Sequence, residues 1–212
     1  IFQRERDFAT AYWEKKSGLA EFWDWVDASG LSLLLHVFAK EIFYLVWDGS
    51  SYQIPAQQLE WAQKSLASAV AQSAKLRVVM GHLPLYPVSA PRDKFGEILQ
   101  PAEDLRALLE QYQVHLYISG HHHAYFPGHR GQLKLLFSGA LGSGPRQLLG
   151  TDLPPQHTLT VVDVDLQAAE TRYTTYDMNT WQVIDPKTFP EKIVGSTGWV
   201  MRDDIQDVGM GF

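Results

Sequence analysis

Four histidines in two short stretches carry most of the chemistry legible in this chain. Leu116–Phe126 reads LYISGHHHAYF, and Leu76–Pro84 reads LRVVMGHLP. The first stretch opens as an apolar run rich in β-formers and too short for a helix. It breaks at Ser119-Gly120, immediately before His121, His122 and His123. Glycine at that point lets the chain turn sharply. In extended or turning chain, residues two apart point the same way, so His121 and His123 are expected to converge while His122 faces away. Neutral imidazoles at a rigid strand end suit a transition metal. A pair of hydrogen-bonded loop histidines is the plainer alternative. The second stretch repeats the pattern: a short apolar run, then Gly81, then His82. In open α/β sheets ligands bind beyond the carboxyl ends of strands. Two Gly-His endings on two such strands would therefore set His82 beside His121 and His123. Pro84 and Pro87 stiffen the loop that follows.

The intervening segments are those needed to bring two strand ends together. Leu31–Phe38 and Ile42–Trp47 are β-rich runs separated by a short polar break, which predicts a hairpin closed by the turn Asp48-Gly49-Ser50-Ser51. Asp48 follows a strand and could join a site, although a turn-former is the simpler reading. Pro55 opens a helix with Leu59, Ala62, Leu66, Ala69 and Val70 on one stripe, ending near Ser73. A polar loop over Arg92–Gln100 precedes a second amphipathic helix, Pro101–Tyr112. Helix–strand–helix–strand order predicts that the two Gly-His strands run parallel. Leu133–Ser138 is a further strand, leading into the glycine-rich Gly139–Gly144, which lacks the Lys-Ser/Thr ending of a phosphate-cradling Walker loop. Arg146 beyond it could meet a phosphate; a solvated surface arginine is the plainer expectation. Thr158–Leu166 and Ala169–Tyr176 read as an antiparallel pair. Near the start, a helix is expected over about Arg4–Lys15, with an aromatic cluster at Phe22, Trp23 and Trp25. Trp13, Trp23, Trp25 and Tyr86 could line a groove, but core packing accounts for most such residues.

Composition narrows the class of function. With 212 residues and 45% hydrophobic content, the chain can bury a sizeable core. A net charge of -6 gives no strong nucleic-acid signal, yet leaves open a phosphate ester bound through metal. Without cysteine there is no disulfide framework and no thiolate ligand. No apolar run approaches the ~18 residues of a membrane span. Nothing in the sequence indicates an oligomeric state.

Gly81-His82-Leu83-Pro84 followed by Gly120-His121-His122-His123 resembles the last two signature blocks of the calcineurin-like metallophosphoesterases. Those blocks read Gly-His-x-Pro and Gly-His-x-His, each after a β-strand. The segment Leu31–Trp61 is similar to the part that precedes them, and the resemblance covers about Phe22–Tyr176. It implies an α/β fold with a mixed sheet, an αββα sandwich, and two divalent metal ions (Mn, Zn or Fe) at one edge. His82 and His121 would hold the second ion and His123 the first. The ions, about 3.5–4 Å apart, would bridge a hydroxide and grip the phosphoryl oxygens of a small phosphate mono- or diester. Residues 1–176 would form this domain, with 177–212 an irregular extension packed on it.

The family's earlier blocks, Asp-x-His, Gly-Asp-x-x-Asp and Gly-Asn-His, do not occur. No Asp has His two residues on, and Asn179 is the only asparagine. The expectation is that the remaining ligands and the catalytic acid lie upstream of Ile1. On that expectation, the fold begins incompletely at the N-terminus and the chain alone holds at most one weakly bound ion. Catalytic metals use about three protein ligands, and here one ion would keep two and the other one. Two other readings compete. One is a mononuclear three-His zinc hydrolase, weakened because Tyr125 stands where metallo-β-lactamase-like enzymes carry Asp. The other is a non-catalytic binding or scaffold protein that has kept the fold.

Overall fold

The computed structural model describes Arg4, Trp25–Asp27 and residues 35–206. Apart from Arg4 itself, the helix expected over Arg4–Lys15 lies outside the described residues. So do Leu31–Leu34 and the aromatic cluster, except for the backbone of Trp25.

Four parallel strands form the centre: β3 (Ile42–Val46), β4 (Leu76–Gly81), β5 (Leu116–Ser119) and β7 (Leu133–Phe137). Their sequences are nearly continuous apolar runs because both faces of the sheet are covered. Phe43, Leu45, Val79, Leu116, Tyr117 and Leu135 are all fully buried or nearly so. β1 (Trp25–Asp27) and β2 (Leu35–Ala39) extend one side as antiparallel strands, and Leu35 pairs with Val46 across the predicted hairpin. On the other side β6 (Phe126–Arg130) runs antiparallel to β7. Among the described residues the sheet therefore has nine strands once β10 (Lys192–Gly195) and β11 (Gly198–Arg202) are added beyond β6. β8 (Thr158–Asp165) and β9 (Glu170–Asp177) form a separate antiparallel pair. This is the mixed α/β fold that the resemblance implies.

Helix α1 (Ala56–Leu66) packs on β3, with Ala62 and Leu66 buried, and α3 (Ala102–Gln111) packs on β7 with Leu105 and Leu109 inward. The single helix predicted from Pro55 to about Ser73 is two. Ser68 adopts an extended conformation, and its Oγ accepts the Ala71 N–H at 3.2 Å, capping α2 (Ala69–Ser73). A serine able to satisfy a helix-start N–H competes with continuing the helix through it.

The tail departs from the irregular coil expected over 177–212. β10 and β11 pair with each other, and β11 pairs with β6. Their strands are only 4 and 5 residues long; inward Ile193 alternates with exposed neighbours and inward Val200 with half-buried ones, so the local pattern is faint. Partners elsewhere decide the matter. A Cβ on Gly128 of β6 would lie 2.6 Å from Val200 Cγ2, so glycine is what lets the tail strand approach. Tyr86 belongs to this core too. It is fully buried, its hydroxyl donates to Glu103 at 3.0 Å, and the Arg130 guanidinium lies over its ring.

Candidate metal centre

The two Gly-His strands lie side by side in parallel, with Gly81 opposite Ser119. Gly81 sits where no side chain fits: an added Cβ would stand 2.4 Å from Trp47 Nε1 and 2.5 Å from the Tyr117 hydroxyl. Trp47 Nε1 donates to that hydroxyl at 3.3 Å, which in turn donates to the Leu83 carbonyl at 2.7 Å. This buried chain of hydrogen bonds ties the ends of β3, β4 and β5 together. The His82 backbone is clamped from both sides. Gly120 N–H donates to its carbonyl at 3.1 Å, and Leu83 N–H donates to Gly49 at 2.9 Å. His82 opens onto a groove lined by Trp47, Asp48, Gly49, Met80 and Gly81, beyond the carboxyl ends of β3 and β4.

His121 and His123 both adopt left-handed backbone, with φ of 60° and 51°. Non-glycine residues rarely hold that conformation, and it gathers at functional sites. It also aims the histidines differently from extended chain. His121 Nδ1 lies 2.9 Å from His82 Nε2. Its other nitrogen, Nε2, contacts the Glu97 carboxylate, and Arg92 Nη1 pairs with that same carboxylate while lying 3.4 Å from the ring. His122 is fully buried: its Nδ1 accepts the Val88 N–H at 3.2 Å and its Nε2 donates to the Glu97 carbonyl at 3.1 Å. His123 Nδ1 meets the Gly144 carbonyl at 3.0 Å and the Ser143 hydroxyl at 3.2 Å. The structure thus brings His82 and His121 into contact, turns His122 into the core, and holds His123 against the glycine-rich loop.

Glu97 is the residue that sequence reasoning missed. It lies in the polar loop after Gly96 and matches no motif. That loop is pinned at both ends: Leu99 N–H donates to Pro84 at 2.9 Å, and Ser196 N–H, in the β10–β11 turn, donates to Asp93 at 3.0 Å. Because a carboxylate only accepts, neutral His121 carries its proton on Nε2 and leaves the Nδ1 lone pair facing His82. A carboxylate behind a ligating histidine fixes tautomer and ring orientation in this way. Burial alone would raise the Glu97 carboxyl, but hydrogen bonds from His121 and Arg92 outweigh it and hold the group below the usual carboxylate range. Partial desolvation pulls the His82 imidazole below its ordinary value; His121, His123 and Arg92 add to this, and Asp48 opposes it. Asp48 itself acts as a turn-former, with its Oδ1 accepting the Ser50 N–H at 3.1 Å.

His82 and His121 fit as two donors to one ion: their nitrogens converge, desolvation favours neutral His82, and Glu97 sets the His121 tautomer. Among the described residues no group of three or more His, Cys, Asp and Glu side chains completes a metal site. No helix among them is long and apolar enough to cross a membrane.

Solved structures that share the fold include two phosphoesterase-fold proteins. A purple acid phosphatase, PPD1, from yellow lupin (Lupinus luteus) seeds is 16% identical with a TM-score of 0.55, covering 76% of this chain and 33% of its own. GAP50, the anchor in the inner membrane complex of Plasmodium, is 18% identical with a TM-score of 0.55, covering 72% of this chain and 51% of its own. The chain thus spans between a third and about half of the structures it resembles. None of the curated proteins matches the sequence. The calcineurin-like phosphoesterase family matches residues 5–125, more than half of the chain and a span that holds both Gly-His strand ends; the chain belongs to that family.

Proposed function

We propose that this chain contributes His82, His121 and His123 to a dinuclear centre of divalent ions (Mn, Zn or Fe) that hydrolyses a small phosphate mono- or diester. The observation that carries the reading is the 2.9 Å approach of His121 Nδ1 to His82 Nε2, with Glu97 behind His121. Family membership and the purple acid phosphatase-like fold support metal-dependent phosphoester chemistry in general. Bound ions would supply charge neutralisation at the phosphoryl group and a nucleophile generated at neutral pH. The chain's own residues orient and exclude. Glu97 holds the His121 tautomer, and the Trp47–Tyr117–Leu83 network holds the strand ends at fixed spacing. The Gly49 and Gly120 backbones clamp His82. The test is metal content by mass spectrometry after dialysis against Mn²⁺ or Zn²⁺, alongside hydrolysis of p-nitrophenyl phosphate and its bis ester. Metal uptake and turnover lost together in His82→Ala and His121→Ala are expected. Turnover unchanged in both variants would overturn the assignment.

A second reading has its own support. GAP50, the anchor in the inner membrane complex of Plasmodium, shares the fold. On that reading the fold serves as a binding platform. Stably folded chain with neither ion nor turnover at millimolar Mn²⁺ would favour it.

A further inference from the structure

Arg146 stands out among the charged side chains around His121. Arg92 is already paired with Glu97. Arg146 has no carboxylate within ion-pair reach among the described residues, yet it is half-buried rather than solvated. Its position is built by the histidine turn itself. The Arg146 N–H donates to the His123 carbonyl at 2.9 Å, and its Nη1 donates to the His121 carbonyl at 3.1 Å. Its Nε and Nη2 donate to no described residue, leaving one edge of the guanidinium fork available. The glycine-rich loop leading to it is loosely packed: a Cβ added at Gly142 or Gly144 would meet nothing within 4 Å. Desolvation, with Arg92 nearby, lowers its proton affinity and Glu97 opposes this, but an arginine keeps its charge in proteins. Two guanidinium groups against one carboxylate leave the side of His121 net positive.

We propose that Arg146 is a substrate-binding residue whose free guanidinium edge takes the phosphoryl oxygens of the ester, with Arg92 adding charge from across His121. A planar fork matches phosphate oxygens bidentately, which lysine cannot do. This assignment rests on reading the histidine turns as a phosphoester site.

The test is inorganic phosphate binding to the full chain, by titration calorimetry, in metal-free (EDTA-treated) and Mn²⁺-loaded forms. Arg146→Ala is expected to weaken the phosphate Kd roughly 10- to 100-fold in both forms, the scale of lost charge-assisted hydrogen bonds. Arg146→Lys should recover part of the loss. If Arg146→Ala does not fold, Arg146→Gln carries the same expectation, since it can still donate to the His121 carbonyl without the charge. Lys75→Ala, at an exposed ion pair with Glu41 outside the site, should leave the metal-free Kd within about twofold. Equal phosphate affinity in the unaltered chain and the Arg146 variants, or no binding in either form of the unaltered chain, would overturn the proposal. Phosphate bound through Arg146 by a chain that takes up no metal would support it independently of the metal assignment.

Discussion

His121 Nδ1 and His82 Nε2 stand 2.9 Å apart although 39 positions separate them in sequence. The contact exists because β4, ending in Gly81, and β5, followed at once by Gly120, are parallel neighbours, so each strand delivers its histidine to the same edge. With Glu97 on its far nitrogen, His121 presents a lone pair toward His82, and the consequences are measurable.

Metal retention should separate neighbouring histidines. His121→Ala removes one of the two converging nitrogens and should abolish the weak Mn²⁺ or Zn²⁺ binding expected of this chain. His122→Ala should leave binding far less affected but lower stability by about 1–3 kcal/mol for each buried partner left unpaired, the Val88 N–H and the Glu97 carbonyl. Metal titration and urea unfolding of both variants check this; equal metal losses would sink the assignment.

Glu97→Gln should weaken metal affinity about 10- to 100-fold, as expected when the carboxylate orienting a ligating histidine is removed. An amide nitrogen can donate to His121 Nε2 and so favours the tautomer with its proton on Nδ1, facing His82. Calorimetric Mn²⁺ titration would read the change, and an unaltered Kd would show that Glu97 serves Arg92 alone.

Gly81→Ala drives a methyl group into Trp47 and Tyr117. A loss of about 1–3 kcal/mol is expected from overpacking, together with displaced His82 and weaker metal binding. Gly142→Ala, where a Cβ meets nothing within 4 Å, is the matched control and should shift the melting temperature little. Similar shifts in the two variants would contradict the packing argument.

His115 supplies a pH dependence away from the metal centre. Its Nδ1 accepts the Arg77 N–H at 3.1 Å, and burial first, then the Arg77 charge, lowers its pKa below the ordinary 6.5. The unfolded chain therefore binds a proton at a higher pH than the folded chain does. The associated stability is fully present above 6.5 and is lost as pH falls below it. Urea unfolding at pH 7.5 and 5.5 should show a smaller loss for His115→Asn, whose carbonyl can accept the same N–H without titrating. An unchanged pH slope would mean that His115 does not contribute.

Local pattern and tertiary contact divide the molecule between them. The strands ending in Gly81 and Gly120, their parallel pairing, and the inward faces of α1 and α3 were legible because side-chain periodicity and glycine act over a few residues. Tertiary structure alone decided the rest. The direction of His123 follows from left-handed backbone at His121 and His123, held where the turn packs against the glycine-rich loop, whereas alternation assumes extended chain. Glu97 carries no local signal; it reaches His121 only because Leu99 and Asp93 tie its loop to Pro84 and Ser196. The tail strands β10 and β11 carry only a faint local alternation and are held in the sheet where Gly128 leaves room for Val200. What the sequence determined by itself was which residues could do chemistry at strand ends. Which of them meet was set by contacts between segments far apart in the chain, because burial and hydrogen bonding reward partners that no local window contains.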